Sequence, residues 1–274
     1  MTEDLRERPI GVFDSGMGGL TVMRALIERL PHERFIYLGD TARLPYGTKS
    51  GDTVARYALQ AANALVQRRI KLLVIACNTA SAYGLPALQA AFQDIPVIGV
   101  IEPGAEAAVK AAPEGPIGVI ATEGTVKGGA YLRAIETRAP QTRVLQQACP
   151  LFVPLAEEGL TDGEIATAVA RHYLAPLRAQ RPKCLVLGCT HFPVLKNTIA
   201  DIMGPEIVLV DSAATTAAAV ETELAHRSLS NQEATAGQRH RYLVTDAPER
   251  FARVGEAFLG APIPADAVEL IDLR

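Results

Sequence analysis

The chain has 274 residues, 49% of them hydrophobic and 21% charged, with a formal net charge of −3. That length fits one large folded unit or two smaller ones, with a core that needs no disulfide staples. No basic stripe marks a nucleic-acid partner, and apolar runs as short as LLVIAC (72–77) argue against a membrane span.

The opening MTEDLRERP (1–9) is polar and charged and lacks the apolar centre of a secretory leader, so the expected compartment is the cytoplasm. IGVFD (10–14) reads as a buried strand and LTVMRALIERL (20–30) as a helix with apolar residues at helical spacing. FIYLGD (35–40) is a second strand, followed by a helix over about 50–69. Then come the strand LLVIAC (72–77), a helix over 85–92 and the strand PVIGVI (96–101). This alternation predicts an α/β fold with a mostly parallel sheet.

The pattern then restarts. IGVIAT (117–122) matches IGVFDS (10–15), and CLVLGCT (184–190) matches LLVIACNT (72–79). The two matches share nearly the same offset, 107 and 112 residues, which points to a duplicated unit. Two pseudo-symmetric α/β domains are therefore expected, 1–98 with 211–274 forming a discontinuous first and 99–210 the second. In the closing part, a helix over 215–226, a polar loop over 228–239, the strand YLVTD (242–246), a helix over 247–258 and VELIDL (268–273) complete the first domain.

Ligands of open parallel sheets bind beyond the carboxyl ends of the strands. Asp14 and Ser15 follow the first strand, Thr41 and the turn LPYG (44–47, with Pro45, Tyr46 and Gly47) the second, and Cys77, Asn78 and Thr79 the third. Thr122 and Thr125 follow the first strand of the repeat, and Cys189, Thr190 and His191 the later one. Cys77 and Cys189 thus hold equivalent places in the two halves. Inverting a carbon centre needs a base on one face and an acid on the other, exchanging roles in reverse, and two thiols meet that need. Each cysteine is expected to precede a helix start, whose N–H groups lower a thiol pKa and hold a carboxylate. Asp14 is placed to assist Cys77, and His191 and Glu157 to assist Cys189.

Plainer readings stand beside these. A cysteine at a strand end is usually a small buried hydrophobe, and that reading is kept for Cys149 and Cys184. No C-x-x-C spacing supports a structural zinc site, so four free thiols are expected. Asp14, Ser15, Thr122 and Thr125 have alternative roles as helix caps, His191 as a turn histidine, Tyr46 and Gly47 as part of a proline turn, and Glu157 as a solvated charge. Gly16-x-Gly18-x-x-Thr21 with Asp40 ending the next strand partly mimics a dinucleotide fingerprint, but the third glycine is missing and Asp14 would repel a pyrophosphate. The glycines are read instead as a tight turn that lets a small ligand approach the backbone.

Taken together, IGVFDSGMGGLTV (10–22), YLGDTARLPYG (37–47), IACNTASA (75–82), CPLFVPLAEEG (149–159) and GCTHFPVL (188–195) resemble the glutamate racemases of the aspartate/glutamate racemase family. The resemblance implies a site between two α/β domains. It implies cofactor-independent interconversion of L- and D-glutamate, supplying peptidoglycan synthesis, in a cytoplasmic homodimer with no nucleic-acid or membrane partner. Cys77 and Cys189 would be the proton donor/acceptors, Cys77 serving the D-form and Cys189 the L-form, with Asp14, Glu157 and His191 as auxiliaries. Ser15, Pro45, Tyr46, Gly47, Asn78, Thr79, Thr122, Thr125 and Thr190, with Asp14 and His191, would contact substrate. ATEGT (121–125) departs from the Gly-Thr more often found there. Three rivals remain: an aspartate or hydantoin racemase, a two-lobed binding module, and a nucleotide-dependent oxidoreductase.

Overall fold

The computed structural model describes residues 4–233 and 240–273. In chain order its elements are β1 (Ile10–Asp14), α1 (Leu20–Arg29), β2 (Phe35–Gly39), α2 (Gly51–Val66), β3 (Leu72–Ile75), α3 (Asn78–Ala91), β4 (Val97–Gly99) and α4 (Ile101–Ala111). There follow β5 (Ile117–Ala121), α5 (Glu123–Gly128), α6 (Ala130–Arg138), β6 (Val144–Ala148), α7 (Phe152–Glu157), α8 (Gly163–Arg178), β7 (Cys184–Gly188) and α9 (Lys196–Met203). The chain closes with β8 (Val208–Asp211), α10 (Ser212–His226), β9 (Arg241–Val244), α11 (Pro248–Leu259) and β10 (Val268–Leu270).

Among these residues the strands form two parallel sheets, ordered β10-β9-β2-β1-β3-β4 and β6-β5-β7-β8. The central strands are buried along their whole length, as sheets covered on both faces require. The order β2-β1-β3-β4 is repeated by β6-β5-β7-β8, so the sequence repeat appears as a repeated topology. In each sheet the chain reverses its direction of growth beside the first strand, between β1 and β3 and again between β5 and β7. Crevices at such reversals are where ligands of open α/β sheets bind.

Of the loop expected over 228–239, residues 228–233 carry no helix or strand, and 234–239 lie outside the described residues. The helix expected over 85–92 begins at Asn78. Its first turns are small and polar (NTASAYG) and carry no apolar period, but Cys77 caps them, its Sγ accepting from Ala80 N–H at 3.4 Å. The second helix starts at Gly51, where Ser50 provides the cap. Strand β6 (VLQQA) is an edge strand with half-buried glutamines, so no apolar run announced it.

The core consists of two apolar clusters. One, with Phe13, Leu38, Val54, Leu65 and Ile75, fills the outer face of the first sheet. The other runs without a break from Val12 and Leu26 through Val220 and Leu224 of α10 to Ile120 and Leu187 of the second sheet. Burial of each such side chain contributes about 1.5–3 kcal/mol, so the two sheets are fixed to one another by a shared core. No helix among the described residues is long and apolar enough to cross a membrane.

Candidate active site

A cavity of about 300 Å³ lies where the two reversal points face each other, at the small end of ligand-site volumes. Of the residues expected from the sequence, Ser15, Pro45, Tyr46, Gly47, Cys77, Asn78, Thr79, Thr122, Glu157, Cys189, Thr190 and His191 line it. Asp14 and Thr125 do not; both are buried directly behind the wall. Gly16, where the glycine turn was expected to let a ligand approach, lines it too, and Leu44, Val153 and Pro154 join the lining without having been singled out for it. A larger cavity, about 860 Å³, lies elsewhere beside Arg24, Tyr242 and Pro264, and neither Cys77 nor Cys189 faces it.

All four cysteines are free and buried. Cys184 points into the core, donating to Ala108 O at 3.7 Å, and Cys149 donates to Gln147 O at 3.7 Å. Cys77 donates to Ser15 Oγ at 3.4 Å. The helix N-terminus was expected to make this thiol more acidic; it works in that direction but is outweighed. Burial first, then the negative charge of Asp14, push the Cys77 pKa up to about 12, and the bonds from Ser15 and Ala80 N–H only partly offset them. Asp14 therefore acts on Cys77 through its charge, with no hydrogen bond between them among the described residues. Its carboxylate instead accepts Gly16 N–H at 3.0 Å and the Thr190 hydroxyl at 3.5 Å. Burial raises its own pKa, opposed by the charge of His191 and by the loop N–H groups.

The second thiol has a different neighbourhood. Cys189 was expected to precede a helix as Cys77 does, but a turn intervenes before the short 3₁₀ segment Phe192–Leu195. Its partner is His191, with Nδ1 3.9 Å from Sγ. The other ring nitrogen, Nε2, lies 3.1 Å from Glu157 Oε1. Burial works against charge on this imidazole, yet Cys189, Glu157 and Asp14 outweigh it and hold the His191 pKa up to about 10. Glu157, only 13% exposed at its side chain, is not a solvated surface charge. Despite the burial that opposes ionisation, His191 and Arg250 hold its pKa below the usual carboxylate value. Arg250 comes from α11, its guanidinium 3.4 Å from Glu157 Oε2, and nothing local in the sequence announced it.

The walls are joined across the cavity. Thr21 Oγ1 donates to Thr190 O at 2.9 Å. The hydroxyls of Thr79, Thr122 and Thr125 lie 3.0–3.1 Å from one another. The ring of Phe258 packs edge-on against His191 at 5.2 Å. The glycine loop serves this closure. A Cβ at Gly18 would stand 2.3 Å from His191 Nδ1, and one at Gly19 2.4 Å from Asp14 Cβ. These two glycines thus admit the protein's own side chains, where a close approach of ligand had been expected; Gly16 alone of the three faces the cavity. The LPYG turn is held from below by Asp40, which accepts from the Tyr46 hydroxyl, from Arg43 Nε at 2.7 Å and from Thr245 Oγ1 at 3.0 Å. That contact occupies Asp40, the residue a dinucleotide fingerprint would need free for a ribose. Among the described residues no group of three His, Cys, Asp or Glu side chains could hold a metal ion.

Residues 10–220 match the family model described as Asp/Glu/Hydantoin racemase. The chain is 53% identical over 256 residues to a glutamate racemase of Geobacter metallireducens, covering 93% of this chain and 94% of that one. It is 46% identical over 268 residues to a glutamate racemase of Neisseria meningitidis, covering 98% of each. Among solved structures, the Francisella tularensis glutamate racemase in complex with D-glutamate superposes with a TM-score of 0.91 at 39% identity, over 98% of both chains. An aspartate racemase of Picrophilus torridus shares the fold at a TM-score of 0.55 and 16% identity, covering 81% of this chain and 99% of that one.

Proposed function

The chain belongs to the Asp/Glu/Hydantoin racemase family, and on that premise we propose that it interconverts L- and D-glutamate by a cofactor-independent mechanism using two cysteines. The observation that carries this reading is that two thiols from equivalent strand ends, Cys77 and Cys189, line one small cavity from opposite lobes.

In one direction a thiolate takes the α-proton of the bound amino acid. The C–H electron pair stays on the substrate and spreads into the α-carboxylate, and the opposite thiol gives its proton to the other face of the carbon. Thiol and thiolate have then exchanged places, and the reverse reaction runs through the same groups. The carbon acid is weak, so stabilisation of the developing charge carries much of the rate. The N–H groups at the start of α3, the Asn78 amide and the hydroxyls of Thr79 and Thr190 are the donors available at the cavity wall. His191 and Glu157 move or hold a proton at Cys189, while Asp14 serves Cys77 electrostatically. In this reading the thiols and these donors carry the chemistry.

The glutamate assignment is supported by relatives at 43–53% identity that bear that name. The resemblance further leads us to read the molecule as a cytoplasmic homodimer whose product enters peptidoglycan, with domains 1–98 plus 211–274 and 99–210. Sedimentation velocity checks the dimer.

The deciding experiment follows α-proton exchange and chirality of L-glutamate in D₂O, with aspartate as the competing substrate. The wild type is expected to racemise glutamate without pyridoxal phosphate and in the presence of a chelator. Cys77→Ser and Cys189→Ser each should lose racemisation by at least about 10²-fold. Full activity in either variant overturns the two-thiol reading, and preference for aspartate overturns the substrate.

A further inference from the structure

We propose that Tyr131 is a positioning residue for the substrate: its hydroxyl fixes the Asn78 amide so that the cavity meets an oxygen of the ligand with an N–H donor and not with a carbonyl. This rests on the reading of the cavity as the substrate site. Neither the motif GCTH nor ACNT contains Tyr131, and nothing in the local sequence around it signals a role.

Tyr131 lies at the start of α6, in the second lobe, and is fully buried. Its hydroxyl crosses to the first lobe and donates to Asn78 Oδ1 at 2.8 Å. The ring has room because two neighbours are glycines. A Cβ at Gly188 would come within 3.0 Å of Tyr131 Cε2, and one at Gly104 within 3.3 Å of its hydroxyl oxygen. Burial, foremost, raises the Tyr131 pKa, so the hydroxyl keeps its proton and must place it on an acceptor. Asn78 Oδ1 is that acceptor.

The consequence falls on the other end of the amide. Asn78 is 3% exposed, lines the cavity, and its Nδ2 has no hydrogen-bond partner among the described residues. A buried amide N–H is satisfied only by an acceptor. A carboxylate oxygen of the ligand supplies one. Turning the amide over would instead present a carbonyl oxygen to an anionic ligand and set the amide N–H against the tyrosyl proton, which would have to turn to Ser212, the other hydroxyl beside it. The hydroxyl therefore sets the polarity of this part of the cavity without touching the ligand.

The test is a double-mutant cycle on Tyr131→Phe, Asn78→Ala and the pair, read as KM and kcat in both directions, with thermal midpoints alongside. Tyr131→Phe should raise KM about tenfold with kcat changed less than about threefold, and should have no further effect in the Asn78→Ala background. An unchanged KM, or additive losses, overturns the proposal. A second measurement needs no variant: the Asn78 side-chain amide pair in ¹H–¹⁵N spectra should be resolved in the free protein and shift on adding D-glutamate. A pair that stays put while glutamate is racemised overturns the positioning role and leaves the racemase reading intact. A pair that shifts in a protein unable to racemise glutamate supports the positioning role and overturns the racemase reading.

Discussion

His191 bridges Cys189 and Glu157, with Nδ1 3.9 Å from the sulfur and Nε2 3.1 Å from the carboxylate. The imidazole is held protonated by its neighbours up to about pH 10, although burial opposes this. Glu157→Gln removes one of those neighbours. The His191 pKa should then fall towards the ordinary histidine value, followed by its ring-proton NMR signal, and racemisation should drop by about 10²-fold. The folded pKa lies above the unfolded one, so the stabilisation is full below about pH 6.5 and is lost as pH rises through about 10. Urea midpoints across that window should decline in the wild type and decline less in Glu157→Gln.

The Asp14 charge raises the Cys77 pKa, so Asp14→Asn should make that thiol more acidic. Alkylation of Cys77 by iodoacetamide, followed by mass spectrometry against pH, should set in at lower pH than in the wild type. Racemisation should nevertheless fall at least about tenfold, because Asp14 also holds the loop N–H groups and Thr190. Slower alkylation together with lower activity would contradict the electrostatic account.

Gly18→Ala places a methyl group 2.3 Å from His191 Nδ1 and 2.6 Å from Thr190 Oγ1. Overpacking of this kind costs about 1–3 kcal/mol, and the side chains that must yield are those beside Cys189. A lowered thermal midpoint together with at least a tenfold loss of kcat (roughly 1.4 kcal/mol of barrier) is the expected result. Gly51, whose Cβ would meet the Tyr83 ring and which does not line the cavity, provides the control: Gly51→Ala should lower the midpoint and change kcat less than Gly18→Ala does.

Away from the cavity, Lys71 and Glu33 form a buried ion pair at 2.6 Å. Lys71 Nζ also reaches Arg6 O at 2.6 Å and Leu229 O at 2.8 Å, and Glu33 Oε1 accepts Asn231 N–H at 2.8 Å. Lys71→Met leaves a buried carboxylate without its counter-charge and should destabilise by about 3–5 kcal/mol. Adding Glu33→Leu should recover much of that loss in chemical denaturation, and a double variant no more stable than Lys71→Met would refute the pairing account.

The parallel strands were legible in sequence because strands covered on both faces are continuous apolar runs, as IGVF and LVLG are. VLQQA was not, since four of its five residues are only half-buried at a sheet edge. Many of the cavity residues, Ser15, Cys77, Asn78, Thr79, Thr122, Cys189, Thr190 and His191 among them, were legible because they follow strands directly, whereas Val153, Pro154 and Glu157 come from α7. What escaped notice depends on how one lobe faces the other. Tyr131 meets Asn78 across 53 positions, Thr21 meets Thr190 across 169 and Arg250 meets Glu157 across 93. Tyr131, Thr21 and Arg250 sit within helices and not at strand ends, and no periodicity brings them to their partners. The error over Cys77 has a different origin. A helix N-terminus can be read from sequence, but the burial that outweighs it cannot.

The three hydroxyls of Thr79, Thr122 and Thr125 meet at the boundary between the lobes, beside the thiols. A parting of the sheets would break this cluster and draw Thr122 away from the cavity wall. Opening of the pocket and loss of its threonine wall are then one movement, so glutamate held across that boundary should slow alkylation of both cysteines by more than its size alone would predict.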